Sequence, residues 1–216
     1  MNIPQVVVVV AGGDAPYSSL GPRLPPSAFV IAADSGLDRA RALGWPVDLV
    51  VGDLDSATEA AIGAARADGV DVEQHPAAKD QTDLELALDR AVARRPDRIV
   101  VVGGGGGRLD HLVAAALLLA SARYTAVPVE AWFDGAVVTV IRGEARLHGT
   151  PGDLVSLLPL GGPARGVTTE ALRYPLADED LAPGTTRGVS NELLASEAGV
   201  RVRDGVLLAI QPGAGG

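Results

Sequence analysis

Leu49-Val50-Val51-Gly52-Asp53-Leu54-Asp55-Ser56 places two carboxylates directly behind a short β-branched run. The pattern recurs along the chain. The run Phe29–Ala32 leads into Asp34-Ser35-Gly36, Val70–Glu73 precedes Lys79-Asp80-Gln81-Thr82-Asp83, and Ile99–Val102 leads through glycines to Gly107-Arg108-Leu109-Asp110-His111. Two further apolar runs, Gln5–Ala11 and Val127–Trp132, complete a set whose gaps at 35–44, 56–68, 82–95 and 109–122 carry Ala-rich helical patterns. Near-continuous apolar strands alternating with helices predict an α/β unit: a mostly parallel sheet with helices on both faces. In such sheets the loops after successive strands meet at the strands' carboxyl ends, so the acidic segments are expected to gather along one edge.

Past Asp134 the texture changes to short runs at 136–141, 144–148, 153–159, 165–170, 185–190, 200–203 and 206–210, divided by Gly, Pro and Asp turns. A weak helical period survives near 191–197. This predicts a second, all-β, sandwich-like domain. The expected organisation is an α/β domain over 1–133 and a β-sandwich domain over 134–216.

Composition narrows the function. The 216 residues are 47% hydrophobic, enough for a substantial core. A net charge of −9 argues against a nucleic-acid or anionic-membrane surface, which depends on clustered Lys and Arg. The absence of cysteine excludes disulfides, thiolate metal sites and a cysteine nucleophile. The start, Met1-Asn2-Ile3-Pro4-Gln5, has no basic region or cleavage-type segment, and no apolar stretch approaches about 18 residues, so a cytoplasmic protein is expected.

Crowded carboxylates repel one another unless a cation sits among them, and hard oxygen ligands favour Mg²⁺, which keeps waters and substrate phosphates in its shell. The expectation is a Mg²⁺-dependent enzyme acting on a phosphorylated substrate. On extended backbone Asp53 and Asp55 would point the same way, toward one ion. Ser56 with Glu59, and Thr82 with Glu85, have the spacing of capping boxes that start helices. Those caps leave Asp53, Asp55, Lys79, Asp80 and Gln81 without a structural task. Lys79 is the single lysine beside 17 arginines, and a compact ammonium is not equivalent to a planar guanidinium. Gly103–Gly107 stands between a strand and a helix, as a phosphate-cradling loop does, yet fits neither the P-loop nor the dinucleotide fingerprint. Arg108 can supply a fork to phosphate oxygens. His75, His111 and His148 show no metal-binding spacing.

Taken in order, Ala33-Asp34-Ser35-Gly36, Gly52-Asp53-Leu54-Asp55-Ser56, Lys79-Asp80-Gln81-Thr82-Asp83, Gly106-Gly107-Arg108-Leu109-Asp110-His111 and Gly188-Val189-Ser190-Asn191-Glu192 closely resemble the thiamine pyrophosphokinase family, over residues 6 to 210 or so. The resemblance implies an ATP-binding α/β domain, a β-sandwich domain that binds thiamine and dimerises, and transfer of pyrophosphate from ATP to the thiamine hydroxyl with release of AMP. It implies a homodimer whose active sites are shared by two chains. Asp53, Asp55 and Asp83 would hold Mg²⁺, with Asp80 close by and Asp110 beside the reacting groups. Asp34, Lys79, Gln81, Thr82, Gly106, Gly107 and Arg108 would serve the nucleotide, and Ser190 and Asn191 would reach thiamine. Ser35 departs from the family, which commonly has a second Gly after this Asp. Trp132 and Tyr174 are the candidate aromatics to stack on thiamine. A pyrophosphokinase for another hydroxymethyl heterocycle, such as a pterin, would share the donor motifs, but Ser190-Asn191 favours thiamine. A non-catalytic sensor would have no need of the full acidic set.

Overall fold

Five consecutive valines form strand β1 (Val6–Val10), and all five are buried. A strand with no exposed face must be covered on both sides, which makes it a central strand of a parallel sheet. The structure, a computed structural model, describes residues 5–13, 25, 27–106, 108–133 and 135–213. In it β1 is flanked on one side by β2 (Phe29–Ala33), β3 (Leu49–Gly52) and β4 (Asp71–Gln74), and on the other by β5 (Arg98–Val102) and β6 (Val129–Phe133). All five pairings are parallel. The chain steps outward from β1 to β4 and then crosses back to β5. Strand order therefore reverses between β1 and β5, the kind of point at which open α/β sheets bind ligands.

Among the described residues four α-helices alternate with these strands: α1 (Gly36–Ala42), α2 (Glu59–Ala67), α3 (Asp83–Ala93) and α4 (Leu109–Leu119). Leu37 of α1 and Ala61 and Ala65 of α2 close a cluster with Ala32, Val50 and Leu54. Helix α3 packs Leu86, Ala87, Leu88 and Ala91 inward, against β1 to β3. Its start is capped as expected, with the Thr82 hydroxyl accepting from the Glu85 amide at 3.2 Å. The start of α2 differs from expectation. Its cap is Thr58, which accepts from the Ala61 amide and donates its hydroxyl to Asp38 at 2.6 Å. Ser56 instead donates to Asp55 at 2.8 Å, because the turn around Leu54 delays the helix by two residues relative to a Ser56 cap.

The chain divides into two compact units, Met1–Ala115 with Ala126–Asp134, and Ala116–Thr125 with Gly135–Gly216. The second unit contains two antiparallel sets of strands. One has the order β12 (Asn191–Glu192), β9 (Leu154–Pro159), β14 (Leu207–Gln211), β7 (Ala136–Ile141), and the other β11 (Glu179–Leu181), β10 (Ala164–Glu170), β13 (Glu197–Arg201), β8 (Glu144–His148). Ile141, Leu147, Val155, Leu157, Val167 and Val200 belong to its common core. The partly buried Arg142 guanidinium donates to the Leu119 and Ser121 carbonyls at 2.8 and 3.1 Å, placing positive charge at the end of α4. The strand expected at 185–190 is absent; Gly184 and Ser190 have positive φ there, and the segment is a turn. Nor is there a helix at 191–197, where the two-residue β12 pairs with β9. Strand β11 lacks an apolar run, since only Leu181 of its three residues is buried.

Two glycines in helices separate packing from propensity. A methyl group on Gly36 would overlap the Val10 carbonyl oxygen of β1, whereas Gly63, exposed in the middle of α2, has open space around it. In urea unfolding, Gly36→Ala is expected to cost about 2 to 4 kcal/mol, and Gly63→Ala to stabilise by up to about 1 kcal/mol. Equal effects of the two would mean that α1 does not press on β1 as described.

Candidate active site

The parallel register fixes where the acidic side chains meet. Ala33 of β2 pairs with Val51 of β3, so Asp34 and Gly52 leave the sheet side by side, and the Asp34 amide donates to the Val51 carbonyl at 2.9 Å. Gly52 leaves the space for convergence: a Cβ there would stand 3.0 Å from Asp83 Oδ1 and 3.1 Å from Asp34 Cβ. Asp34, Asp53 and Asp83 each offer a carboxylate oxygen within 4.8 Å of the others. Asp83 is aimed there by its place as the first residue of α3. Asp34 is held at φ 48°, a left-handed conformation that L-residues adopt at a cost of about 1 kcal/mol.

Asp34 is 7% exposed, and its Oδ1 is buried with no hydrogen-bond partner. Burial pushes its carboxyl up; hydrogen bonds from Ser56 and the Ser35 backbone oppose the rise, and the charges of Asp83 and Asp53 add to it. Lys79 supplies the local positive charge. Its Nζ lies 2.6 Å from Asp53 Oδ2 and 3.0 Å from Asp83 Oδ1. The second of these is an ion pair without hydrogen-bond geometry, since Asp83 Oδ1 has no hydrogen-bond partner. The ammonium holds the Asp53 carboxyl below the usual range. Burial works against the charge on Lys79, but the two carboxylates outweigh it, and its pKa is raised. Three converging carboxylates, one of them with a buried oxygen that has no partner, suit a hard divalent cation that takes oxygen ligands and keeps positions for water or phosphate.

Asp55 is not brought into this group. Leu54, at φ 66°, interrupts the extended backbone that would have aligned Asp53 with Asp55. Asp55 is exposed; its amide donates to Asp53 Oδ1 at 3.2 Å and its carboxylate accepts from Ser56. Asp80 is exposed and makes no hydrogen bond or ion pair among the described residues. Gln81 donates to Asp89 of α3 at 3.1 Å, and Thr82 is spent on the cap. The loop carrying Lys79 is anchored at its start by Glu73, which pairs with Arg90 of α3 and lies 2.7 Å from His75 Nε2. No pattern in the sequence marked that anchor, since it joins positions 17 apart.

Beside this group, at the switch point, the segments following β1 and β5 are joined by the Gly104 amide donating to the Gly12 carbonyl at 2.8 Å. Gly106, at φ 108°, is exposed, and Gly107 lies outside the described residues. Ala11-Gly12-Gly13 was readable as a second glycine segment behind a strand, by the same criterion that picked out Gly103. Arg108 grips Asp110 with two hydrogen bonds of 2.9 and 2.7 Å, and this holds the Asp110 carboxyl far below the usual range.

In the second unit, Ser190 is exposed at φ 56°, and its amide donates to Ser156 Oγ. Asn191 is 4% exposed. Its Oδ1 accepts from the Tyr174 and Glu192 amides, both at 2.9 Å, and its Nδ2 donates to the Tyr174 carbonyl at 2.8 Å. Its amide is thus engaged by backbone, and the group it presents outward is Tyr174, 53% exposed. Trp132 is buried and donates to Glu130, so of the two candidate aromatics only Tyr174 is accessible.

Residues 23–131 match the family model for the thiamin pyrophosphokinase catalytic domain, and residues 140–207 that for the thiamin pyrophosphokinase vitamin B1 binding domain. A thiamine pyrophosphokinase of Bacillus subtilis is 29% identical over 168 residues, covering 74% of this chain and 76% of that protein. The crystal structure of thiamine pyrophosphokinase from Bacillus subtilis superposes with a TM-score of 0.85 at 28% identity, over 96% of this chain and 99% of that one. That of thiamin pyrophosphokinase from Geobacillus thermodenitrificans gives 0.82 at 28% identity, over 96% and 97%. With both domain models matched in order on a fold that carries these carboxylates at its strand ends, the chain belongs to the thiamin pyrophosphokinase family.

Proposed function

We propose that this chain transfers the pyrophosphoryl group of ATP to the hydroxyl of thiamine, using Mg²⁺ held by Asp53 and Asp83 together with Asp34. The observation that carries the metal assignment is the convergence of three carboxylates within 4.8 Å, one of which, Asp34, has a buried oxygen without a partner. Bound there with the phosphates, the ion would polarise phosphoryl oxygens and neutralise developing charge. Asp55 acts from the same turn by orienting Asp53 through its amide. The glycines after β5 and Arg108 serve the nucleotide, and Gln81 and Thr82 fix the start of α3 around Asp83.

The thiamine hydroxyl oxygen bonds to the β-phosphorus as the bond to the α–β bridging oxygen breaks, AMP leaves, and the hydroxyl proton passes to a carboxylate. Asp110, paired with Arg108 and weakly basic, is a poor acceptor, whereas Asp80 is exposed and without a partner among the described residues. Positioning and charge neutralisation carry most of the rate, as in phosphoryl transfer generally. On the acceptor side, Asn191 holds Tyr174 as the aromatic surface for thiamine, with Ser190 beside it.

We place the protein in the cytoplasm, with its ATP; no helix among the described residues is long and apolar enough to cross a membrane. We infer a homodimer, supported by Leu109, Val113 and Leu117, spaced four apart on α4 and all exposed. Sedimentation is expected to show a dimer that Leu117→Arg weakens.

AMP release from ATP and thiamine tests the chemistry. Asp53→Asn and Asp83→Asn are each expected to lose on the order of a thousandfold in rate, and Asp55→Asn, which keeps the backbone amide that bonds Asp53, to lose less than about threefold. Rates within about threefold of the parent for both Asp53→Asn and Asp83→Asn would remove the metal assignment. Asn191→Ala is expected to raise the KM for thiamine and to lower unfolding stability by about 1 to 3 kcal/mol, because it strands two backbone groups of Tyr174. A changed KM at unaltered stability would instead make Asn191 a direct ligand.

A further inference from the structure

We propose that Lys79 is an internal counter-ion standing in for the divalent cation: its ammonium occupies the place between Asp53 and Asp83 that the ion takes, and must leave when metal and nucleotide load. The proposal rests on the reading of Asp34, Asp53 and Asp83 as the metal site. Lys79 Nζ is 2.6 Å from Asp53 and 3.0 Å from Asp83, with its side chain 14% exposed. Those are two of the three carboxylates that converge there. The ammonium pairs with neither oxygen of the third, and Asp34 Oδ1 is buried without a partner. One positive charge is an incomplete answer to this site, and a divalent ion placed among the same oxygens is repelled by an ammonium already on them.

The residue type suits a removable charge. A guanidinium would grip a carboxylate with a two-pronged fork, whereas an ammonium is a point charge on a flexible four-carbon stem. The chain uses lysine once and arginine 17 times. Lys79 sits in the loop between β4 and α3, four residues before Asp83, so its stem can swing while α3 keeps Asp83 fixed. When a metal–triphosphate complex arrives, phosphate oxygens offer the displaced ammonium a new partner. Without nucleotide it has none, and metal binding must then break the ion pairs uncompensated. Metal and nucleotide binding are thereby coupled.

The test is Mn²⁺ binding to the nucleotide-free protein, followed by electron paramagnetic resonance, for the parent, Lys79→Met, Lys79→Gln and Lys79→Arg. Lys79→Met and Lys79→Gln are expected to bind Mn²⁺ about tenfold more tightly than the parent, and Lys79→Arg no more tightly. In EDTA, Lys79→Met is expected to melt below the parent, and added Mn²⁺ to raise its melting temperature more than the parent's. Equal or weaker Mn²⁺ binding by the folded neutral variants, including no detectable binding by any protein, would overturn the exchange. Asp53→Asn separates the two levels. If it abolishes Mn²⁺ binding while the neutral variants show no gain, the exchange alone falls; if it leaves binding unchanged, the metal site falls with it.

Discussion

Three carboxylates within 4.8 Å of one another set the terms for the N-terminal unit. Two unit charges about 4 Å apart repel by about 1 kcal/mol in water and by several times that where water is thinned out, so the group persists only with a cation at hand. Lys79 meets part of that need, and Asp34, whose carboxyl is raised first by burial and then by the charges of Asp83 and Asp53, shows the strain of the site. The surrounding backbone serves the convergence: a strained Asp34, a side-chain-free Gly52, and a helix that starts on Asp83.

The sheet makes the arrangement possible. Because β2 and β3 are parallel and in register, Asp34 and Gly52 emerge together, and α3 packs back across β1 to β3 to deliver Asp83 to the same edge. The Glu73–Arg90 pair ties the end of β4 to α3, so that the intervening loop can carry Lys79 to the carboxylates. Hydrogen bonding treats the acceptor motif differently: Asn191 is committed to the backbone of Tyr174, so a residue whose motif suggests ligand contact shapes the surface from beneath.

Much of the α/β unit was legible because local signals agreed. Buried parallel strands read as apolar runs, helices as Ala-rich periods, and Thr82 capped α3 as its spacing with Glu85 indicated. The β unit was less legible where strands are short and polar. β11 and β12 owe their existence to neighbouring strands, and the segment 185–190 has strand-like residues but turn backbone.

By itself the sequence determined the class of the fold, the places where acidic segments follow strands, and the family, because each depends on residue type and order along the chain. Tertiary structure decided which carboxylates share a site. Asp53 and Asp55 are two residues apart, yet one left-handed residue, Leu54, parts them, while Asp34 joins Asp53 across 19 positions through strand register. It also decided that Lys79 faces carboxylates, that Asp110 is paired with Arg108, and that Tyr174 rather than Trp132 is exposed. Strand pairing and burial are relations between distant segments, and no local pattern carries them.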